Sequence, residues 1–318
     1  MPRKHEGFPD IYRRCILCPR RCGVNRESGK RGFCGETADL RIAAASIHRG
    51  EEPPITGRGG SGTVFISGCN LGCGFCQNYQ ISRNAEPEGS AGMGRPVETG
   101  EFARICLALE KREAENINIV TGSHAAPALA AGIDAARAGG LTIPVLWNSS
   151  AYETIGALEL LRDRIDGWLP DLKTLDSGLA ARFFRAPGYP EYAAAAITRM
   201  MEYRPRHVII RHLVLPGHLE STREVLRWFA EHAAGRARLS LMTQYTPVGS
   251  GDMPGRYVEQ NEFETILRWL EDFGIEDGFY QELHTGSGWL PDFTRQNPFS
   301  SDLSAPVWHW KEGFVRGV

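Results

Sequence analysis

Short apolar runs alternate along this chain with longer stretches whose apolar residues recur at helical spacing. TVFIS at 63–67, INIVT at 117–121, IPVLWN at 143–148, DGWLPDL at 166–172, HVIIRHLV at 207–214 and LSLMTQY at 239–245 have the length and the β-branched or aromatic content of strands. Residues 98–113, 125–138, 151–162, 190–203 and 221–234 are amphipathic or Ala-rich and predict helices, and a final helix is predicted over 259–273. Near-continuous apolar strands that alternate with helices predict a parallel sheet buried on both faces. Six such units predict an α/β fold, an incomplete (β/α)6 partial TIM barrel. Its open side would admit a large substrate, and its site belongs at the C-terminal ends of the strands.

The flanks read differently. Residues 39–48, DLRIAAASIH, read as one more strand, and 49–62, with EEPP and GRGGSG, as a Pro/Gly-rich connector. The expected organisation is a Cys-rich N-terminal segment and linker over 1–62, the barrel over 63–274 and a C-terminal extension over 275–318. That extension, rich in Trp, Pro and His, is expected to wrap the open barrel edge. There His284, Trp289 or Asp292 would shape a pocket, or the aromatic residues would simply form a packing seam. Cys106, flanked by apolar residues at helical spacing, reads as a buried small hydrophobe.

Composition narrows the class. Hydrophobic residues make up 42% and charged residues 23%, as in ordinary globular proteins, and the net charge is −2. No overall field draws such a chain to nucleic acid or to a membrane surface. No apolar run approaches the ~20 residues of a membrane span. The start, MPRKHEGFPDIYRRC, has no apolar stretch like that of a signal peptide. Eight cysteines without an export signal predict a reducing, cytoplasmic setting, where clustered cysteines serve as metal ligands more often than as disulfides.

Seven of the cysteines fall into two clusters. Cys69, Cys73 and Cys76, in SGCNLGCGFCQN, read C-x3-C-x2-C directly after the first barrel strand. Three thiolates on one loop can hold three irons of a 4Fe–4S cubane and leave the fourth iron open to bind and reduce a small molecule. A zinc loop would want a fourth Cys or His nearby, and residues 77–83 offer none. Cys15, Cys18, Cys22 and Cys34 read C-x2-C-x3-C-x11-C among glycines and arginines. Four thiolates suit a closed structural zinc site or a second iron–sulfur cluster equally well, and both stay open. The arginines have a local reason there, namely to offset an anionic metal–thiolate centre, so they do not imply nucleic-acid binding.

The first spacing resembles that of the radical S-adenosylmethionine (SAM) superfamily. That resemblance implies a 4Fe–4S cluster whose open iron is chelated by SAM, with Phe75 beside the adenine. DLKTLDSGLAARF followed by RHLVLPG is similar to the corresponding stretch of pyruvate formate-lyase activating enzymes, over roughly residues 63–245. The N-terminal Cys-rich segment and WLPDFTRQNPF look like an activating-enzyme-like branch outside those enzymes. Thr121, Gly122 and Ser123 stand where many relatives carry a Gly-Gly-Glu-like motif, but this chain has no acid there. His124, next to them, reads as a proton donor or merely as a helix N-terminal residue. Phe75, Asn78, Thr121, Gly122, Ser123, Asn148, Asp171, Lys173 and Arg211 form the implied SAM surroundings. Lys173 and Arg211 would offer charge to its carboxylate or ribose region, and Gln244 and Tyr245 end the sixth strand nearby.

The implied activity is reductive cleavage of SAM to a 5′-deoxyadenosyl radical, which abstracts hydrogen from an unidentified small-molecule, peptide or protein substrate. Electrons would come from a flavodoxin or a ferredoxin. The alternatives are an activase that installs a glycyl radical on a partner enzyme and a non-catalytic iron–sulfur electron-transfer or metal-binding protein. The altered motif at 121–123 and the second cysteine cluster point away from a strict activase.

Overall fold

The computed structural model describes residues 11–82, 93–248, 252–283, 286 and 288–315. In chain order the elements are β1 (Arg41–His48), α1 (Pro53–Thr56), β2 (Ser61–Ile66), α2 (Tyr79–Ser82), β3 (Arg95–Pro96), α3 (Thr99–Lys111), β4 (Ile117–Val120), α4 (Ala126–Ala138), β5 (Val145–Ser149), α5 (Ile155–Leu161) and β6 (Gly167–Pro170). They continue as α6 (Ser177–Phe184), α7 (Tyr189–Tyr203), β7 (Ile209–Leu213), α8 (Leu219–His232), β8 (Arg238–Met242), α9 (Gln260–Asp272), β9 (Gly278–Tyr280), β10 (Ser304–His309) and β11 (Gly313–Phe314).

β2, β4, β5 and β6 pair in parallel, and so do β7, β8 and β9. Parallel bridges Trp168↔Val208 and Asp171↔Arg211 join the two groups into one curved wall. This is the expected partial barrel, with one parallel strand more than the six read from the sequence. β9 escaped that reading because it is only three residues long and largely exposed. α6 also went unread. Its start is set by Asp176, whose carboxylate accepts the N–H groups of Gly178 and Leu179, and its end by Arg185 in the left-handed region. The helix expected from residue 151 begins later, because Thr154 caps α5 through the N–H of Ala157.

At the other side of the wall, β1 runs antiparallel to β2, and β10 runs antiparallel to β1. The C-terminal tail therefore lengthens the sheet beyond β2 instead of bordering β9. β1 is buried along its whole length, as expected of a strand with neighbours on both edges.

Strand alternation sorts the barrel interior. Along β5 the inward residues are Leu146 and then Asn148, and across β6 they are Leu169 and then Asp171. Across β7 they are Ile209, Arg211 and Leu213. The first of each set meets Ile55 of α1 in a separate apolar cluster of Ile55, Leu146, Leu169 and Ile209. The Asn116 side-chain amide donates to the carbonyl of Ile55 at 2.7 Å and fixes the segment there. What reads in sequence as a connector is thus a plug that crosses the barrel and forms its floor. Cys106 lies buried in the main core, as expected.

The N-terminus of α9 carries an acid-sensitive contact. Glu262 accepts the N–H groups of Glu259 and Gly217 at 2.9 and 2.7 Å and pairs with the Arg256 guanidinium. Burial would raise its carboxyl, but the Arg256 bonds and the two N–H groups more than offset this and hold it down to about 2. A depressed folded-state value stabilises fully above the unfolded carboxyl's value of about 4.5 and loses that contribution as pH falls towards 2. Between those pH values the Tm of the natural protein should fall more steeply than that of Glu262→Gln. Parallel melting curves in a pH series would count against the contact.

Candidate active site

Beyond Ile66 the chain turns at Gly68, whose φ of +85° favours glycine. A Cβ there would stand 2.5 Å from Cγ of Glu36 and 2.9 Å from the carbonyl oxygen of Cys34. Gly68→Ala is expected to lower stability by about 1–3 kcal/mol, because two packed segments would have to part. A thermal melt unchanged by that substitution would contradict the close approach. The loop that follows hangs on its neighbours by backbone and side-chain bonds. Gly72 and Gly74 donate to the carbonyls of Phe184 and Phe183 at the end of α6. The Asn70 amide donates to the Tyr152 carbonyl at 2.6 Å, and Arg20 Nε donates to the Asn70 carbonyl at 2.9 Å.

This suspension sets Cys69, Cys73 and Cys76 on one wall of a cavity of about 390 Å³ at the C-terminal ends of the strands. Burial pushes the Cys69 thiol up, and the nearby Cys73 and Cys76 push it further, while the Leu71 N–H and Lys173 oppose them. The Ser82 hydroxyl donates to Cys76 Sγ at 3.2 Å. Among the described residues no three Cys, His, Asp or Glu side chains already close on a single metal ion. The three thiols share one loop, one wall and one electrostatic neighbourhood. Phe75, between two of them, lines the cavity and packs on Phe184 and Tyr245 with ring centroids 5.7 and 5.5 Å apart. Asn78 lines the same space.

Thr121, Asn148, Asp171, Lys173 and Arg211 also line the cavity, together with Gln244. Thr121 does so with φ at +65°, a sparsely populated region for a β-branched residue and one that clusters at functional sites. Lys173 Nζ lies 2.6 Å from Asp171 Oδ2. Burial would discharge this lysine, but Asp171 and Cys73 more than offset it and hold the ammonium charged. The Tyr189 hydroxyl ties the pair's backbone, accepting the Lys173 N–H at 3.0 Å and donating to the Asp171 carbonyl at 2.7 Å. Arg211 reaches the cavity already neutralised, with Nη2 at 2.6 Å from Glu51 and Nε at 2.8 Å from Glu52.

Gly122 and Ser123 are not on the cavity wall. Ser123 is buried and bonded to Glu153, which also accepts the indole N–H of Trp147 and the hydroxyl of Ser149. His124 has the plainer of its two roles. Its Nε2 lies 2.8 Å from the Ser67 carbonyl, and burial, with Arg26 beside it, lowers its pKa to about 3. It is a neutral structural imidazole.

Two acids reach the cavity from the plug. Glu51 lines the cavity and accepts the Asn118 amide of β4 at 3.0 Å, and Glu52 lies beside it. Sequence reasoning missed both because EEPP carries no strand or helix pattern. The only signal was two adjacent acids directly before a Pro-Pro pair. In the tail, Trp289 and Pro291 line the cavity, as does Phe299, which joins Phe293 in a seam on Phe65. Both readings of the tail therefore hold in part. Asp292 turns to Thr294 and Arg295 instead, and His284 lies outside the described residues.

A family model described as the radical SAM superfamily matches residues 63–229. An uncharacterized protein of Methanocaldococcus jannaschii, MJ0674, is 30% identical over 277 residues, which covers 86% of this chain and 79% of that one. Streptococcus suis SuiB, solved bound to S-adenosylmethionine, matches at TM-score 0.50 and 17% identity over 68% of this chain. The chain spans only 48% of SuiB. A domain of a pyruvate-formate lyase-activating enzyme from Bacteroides vulgatus matches at TM-score 0.37 and 17% identity, over 46% of this chain and 86% of that domain. No described helix is long and apolar enough to cross a membrane.

Proposed function

The chain belongs to the radical SAM superfamily, whose members are enzymes built on a 4Fe–4S cluster and SAM, and from that premise we propose that it takes a hydrogen atom from a compact substrate. The observation that carries this reading is the shared cavity: Cys69, Cys73 and Cys76 line one half-open space together with the Asp171–Lys173 pair. When bound, the cluster and SAM would supply reductive cleavage of SAM to methionine and a hydrogen-abstracting 5′-deoxyadenosyl group, released as 5′-deoxyadenosine.

The chain's own residues do the rest. The three cysteines would hold the cluster. Lys173, kept charged by Asp171, offers an ammonium to SAM's carboxylate, a charge-assisted bond stronger than a neutral one. Asn148 and Thr121 offer polar groups to the amino acid and ribose, and Phe75 offers an apolar face to the adenine. Arg211 acts through the plug, positioning Glu51 and Glu52. Below, the plug forms the floor of the barrel, and on the flank Trp289, Pro291 and Phe299 line the cavity, which limits the access of water to a reactive intermediate.

A space of about 390 Å³ that also houses SAM favours a small molecule or a single side chain as substrate. An activase would have to admit a loop of a folded partner past the same tail residues. The electron donor in this reading is a low-potential flavodoxin or ferredoxin.

The test is anaerobic incubation of the reconstituted protein with SAM and dithionite, with methionine and 5′-deoxyadenosine both quantified. Equal amounts of the two products support the proposal. An intact, reduced cluster that yields neither product, and whose electron paramagnetic resonance (EPR) spectrum SAM does not alter, would overturn it in favour of a non-catalytic iron–sulfur protein.

A further inference from the structure

The second cysteine cluster lies directly behind the first. Cys15, Cys18 and Cys34 are buried and Cys22 is half-buried. Tight turns fold the segment on itself. Cys15 donates to the Val24 carbonyl at 3.0 Å and accepts the Gly23 N–H at 2.9 Å, and Arg21, Gly23 and Gly35 all have positive φ. Backbone N–H groups aim at the sulfurs. That of Phe33 lies 3.3 Å from Cys22 Sγ, and those of Arg20 and Glu36 donate to Cys18 and Cys34. Such donors are wasted on apolar thiols, but they tune metal-bound thiolates.

Arg26 supplies the decisive charge argument. Its side chain is buried, with Nη1 3.9 Å from Cys15 Sγ and the guanidinium carbon 4.5 Å from the centre of the Tyr12 ring. It donates to the Thr37 carbonyl at 3.0 and 2.6 Å and to the His124 carbonyl at 2.7 Å. Among the described residues it forms no ion pair with a carboxylate, although Glu36, paired with Arg41, lies within electrostatic reach. A buried cation without an anion is costly. Four metal-bound thiolates carry net negative charge and would supply the counter-charge in place.

We propose that Cys15, Cys18, Cys22 and Cys34 hold an iron–sulfur cluster, and that it is a second redox centre backed against the SAM-binding one. Four thiolates alone would suit zinc equally, and it is the position of the segment against the SAM-binding cysteine loop that favours a redox centre. The placement suits electron transfer. The Cys34 carbonyl and Glu36 pack on Gly68, one residue before Cys69, while His124 bridges the Arg26 guanidinium and the Ser67 carbonyl. One electron taken from an external reductant can therefore pass between the two centres with no bond made or broken.

The experiment uses the full chain with Cys69, Cys73 and Cys76 all changed to alanine, which leaves the N-terminal segment intact. After anaerobic reconstitution, iron, acid-labile sulfide and zinc are counted per chain, and an EPR spectrum is taken after dithionite. About four irons and a cluster signal are expected to remain, and both should be lost when Cys18→Ser is added. One zinc per chain without iron overturns the proposal, as does a folded variant, checked by circular dichroism, that binds no metal. The natural protein gives an independent reading: about eight irons are expected, and four with one zinc would refute the second cluster. Because the triple variant cannot form 5′-deoxyadenosine in any case, its iron count stands or falls separately from the proposed activity.

Discussion

Alanine at Cys73 is expected to lower 5′-deoxyadenosine formation by more than about a hundredfold, beyond the range typical of changes to groups that only support a metal ligand. The thiol lies on the cavity wall with Cys69 and Cys76, and Lys173 feels its charge. On the proposed ligand set its loss removes a bond to iron, and with it goes one of the charges that keep Lys173 protonated. Stability should change little by comparison, since Cys73 is only half-buried. Measuring product by chromatography beside iron content separates the possibilities. Loss of product with loss of cluster iron is the expected pattern. Near-normal turnover by this variant would remove Cys73 from the ligand set.

The largest stability effect is expected at Arg211. Its guanidinium meets Glu51 and Glu52, whose side chains are 13% and 8% exposed, so Arg211→Met strands two carboxylates in the barrel interior. Breaking a buried pair by removing one partner costs about 3–5 kcal/mol, and chemical denaturation should show a lower midpoint of that size. Replacing Glu51 and Glu52 with Gln in the same molecule should recover part of the loss, because the stranded charges are then gone. If Arg211→Met unfolds at the natural denaturant midpoint, the plug is not held by this triad. Acid has the same target. Burial raises the Glu52 carboxyl, but Arg211 and the Ser240 hydroxyl lower it further, so its contribution is present above the ordinary carboxylate range and is lost on acidification.

What the sequence revealed of this molecule follows from which interactions are local. The parallel strands were visible because both faces are buried and the apolar runs are continuous. The cysteine loop was visible because all three thiols sit within eight residues. Asp171, Lys173, Asn148 and Thr121 could be placed because strand ends in a barrel share one rim. β9 was hidden, since three largely exposed residues carry no periodic signal. The plug was hidden for a different reason. Glu51, Glu52 and Ile55 gain their meaning only from Arg211, Leu146 and Leu169, which lie about a hundred residues or more away in sequence. Ser123 and Gly122 were misplaced relative to the cavity because the chain turns inward at Thr121, and a backbone at φ +65° cannot be read from residue type in a threonine. The tail divided between pocket and seam because Trp289 and Phe293 belong to one short aromatic stretch that bends between them.

The plug also sets a lower bound on how small this protein can be made. A fragment trimmed to residues 63–229, the span matched by the superfamily model, keeps the cysteine loop and most of the rim. It loses Glu51, Glu52 and Ile55, and with them the bottom of the cup. Leu146, Leu169 and Ile209 would then face solvent through an open base, and Arg211 would be left inside without its acids. The trimmed barrel also loses β8 and β9 from one edge and β1 and β10 from the other, leaving long unpaired strand edges of the kind that aggregate. The recognisable catalytic unit is therefore not an autonomous one, and any shortened version must begin upstream of β1 and run through β10.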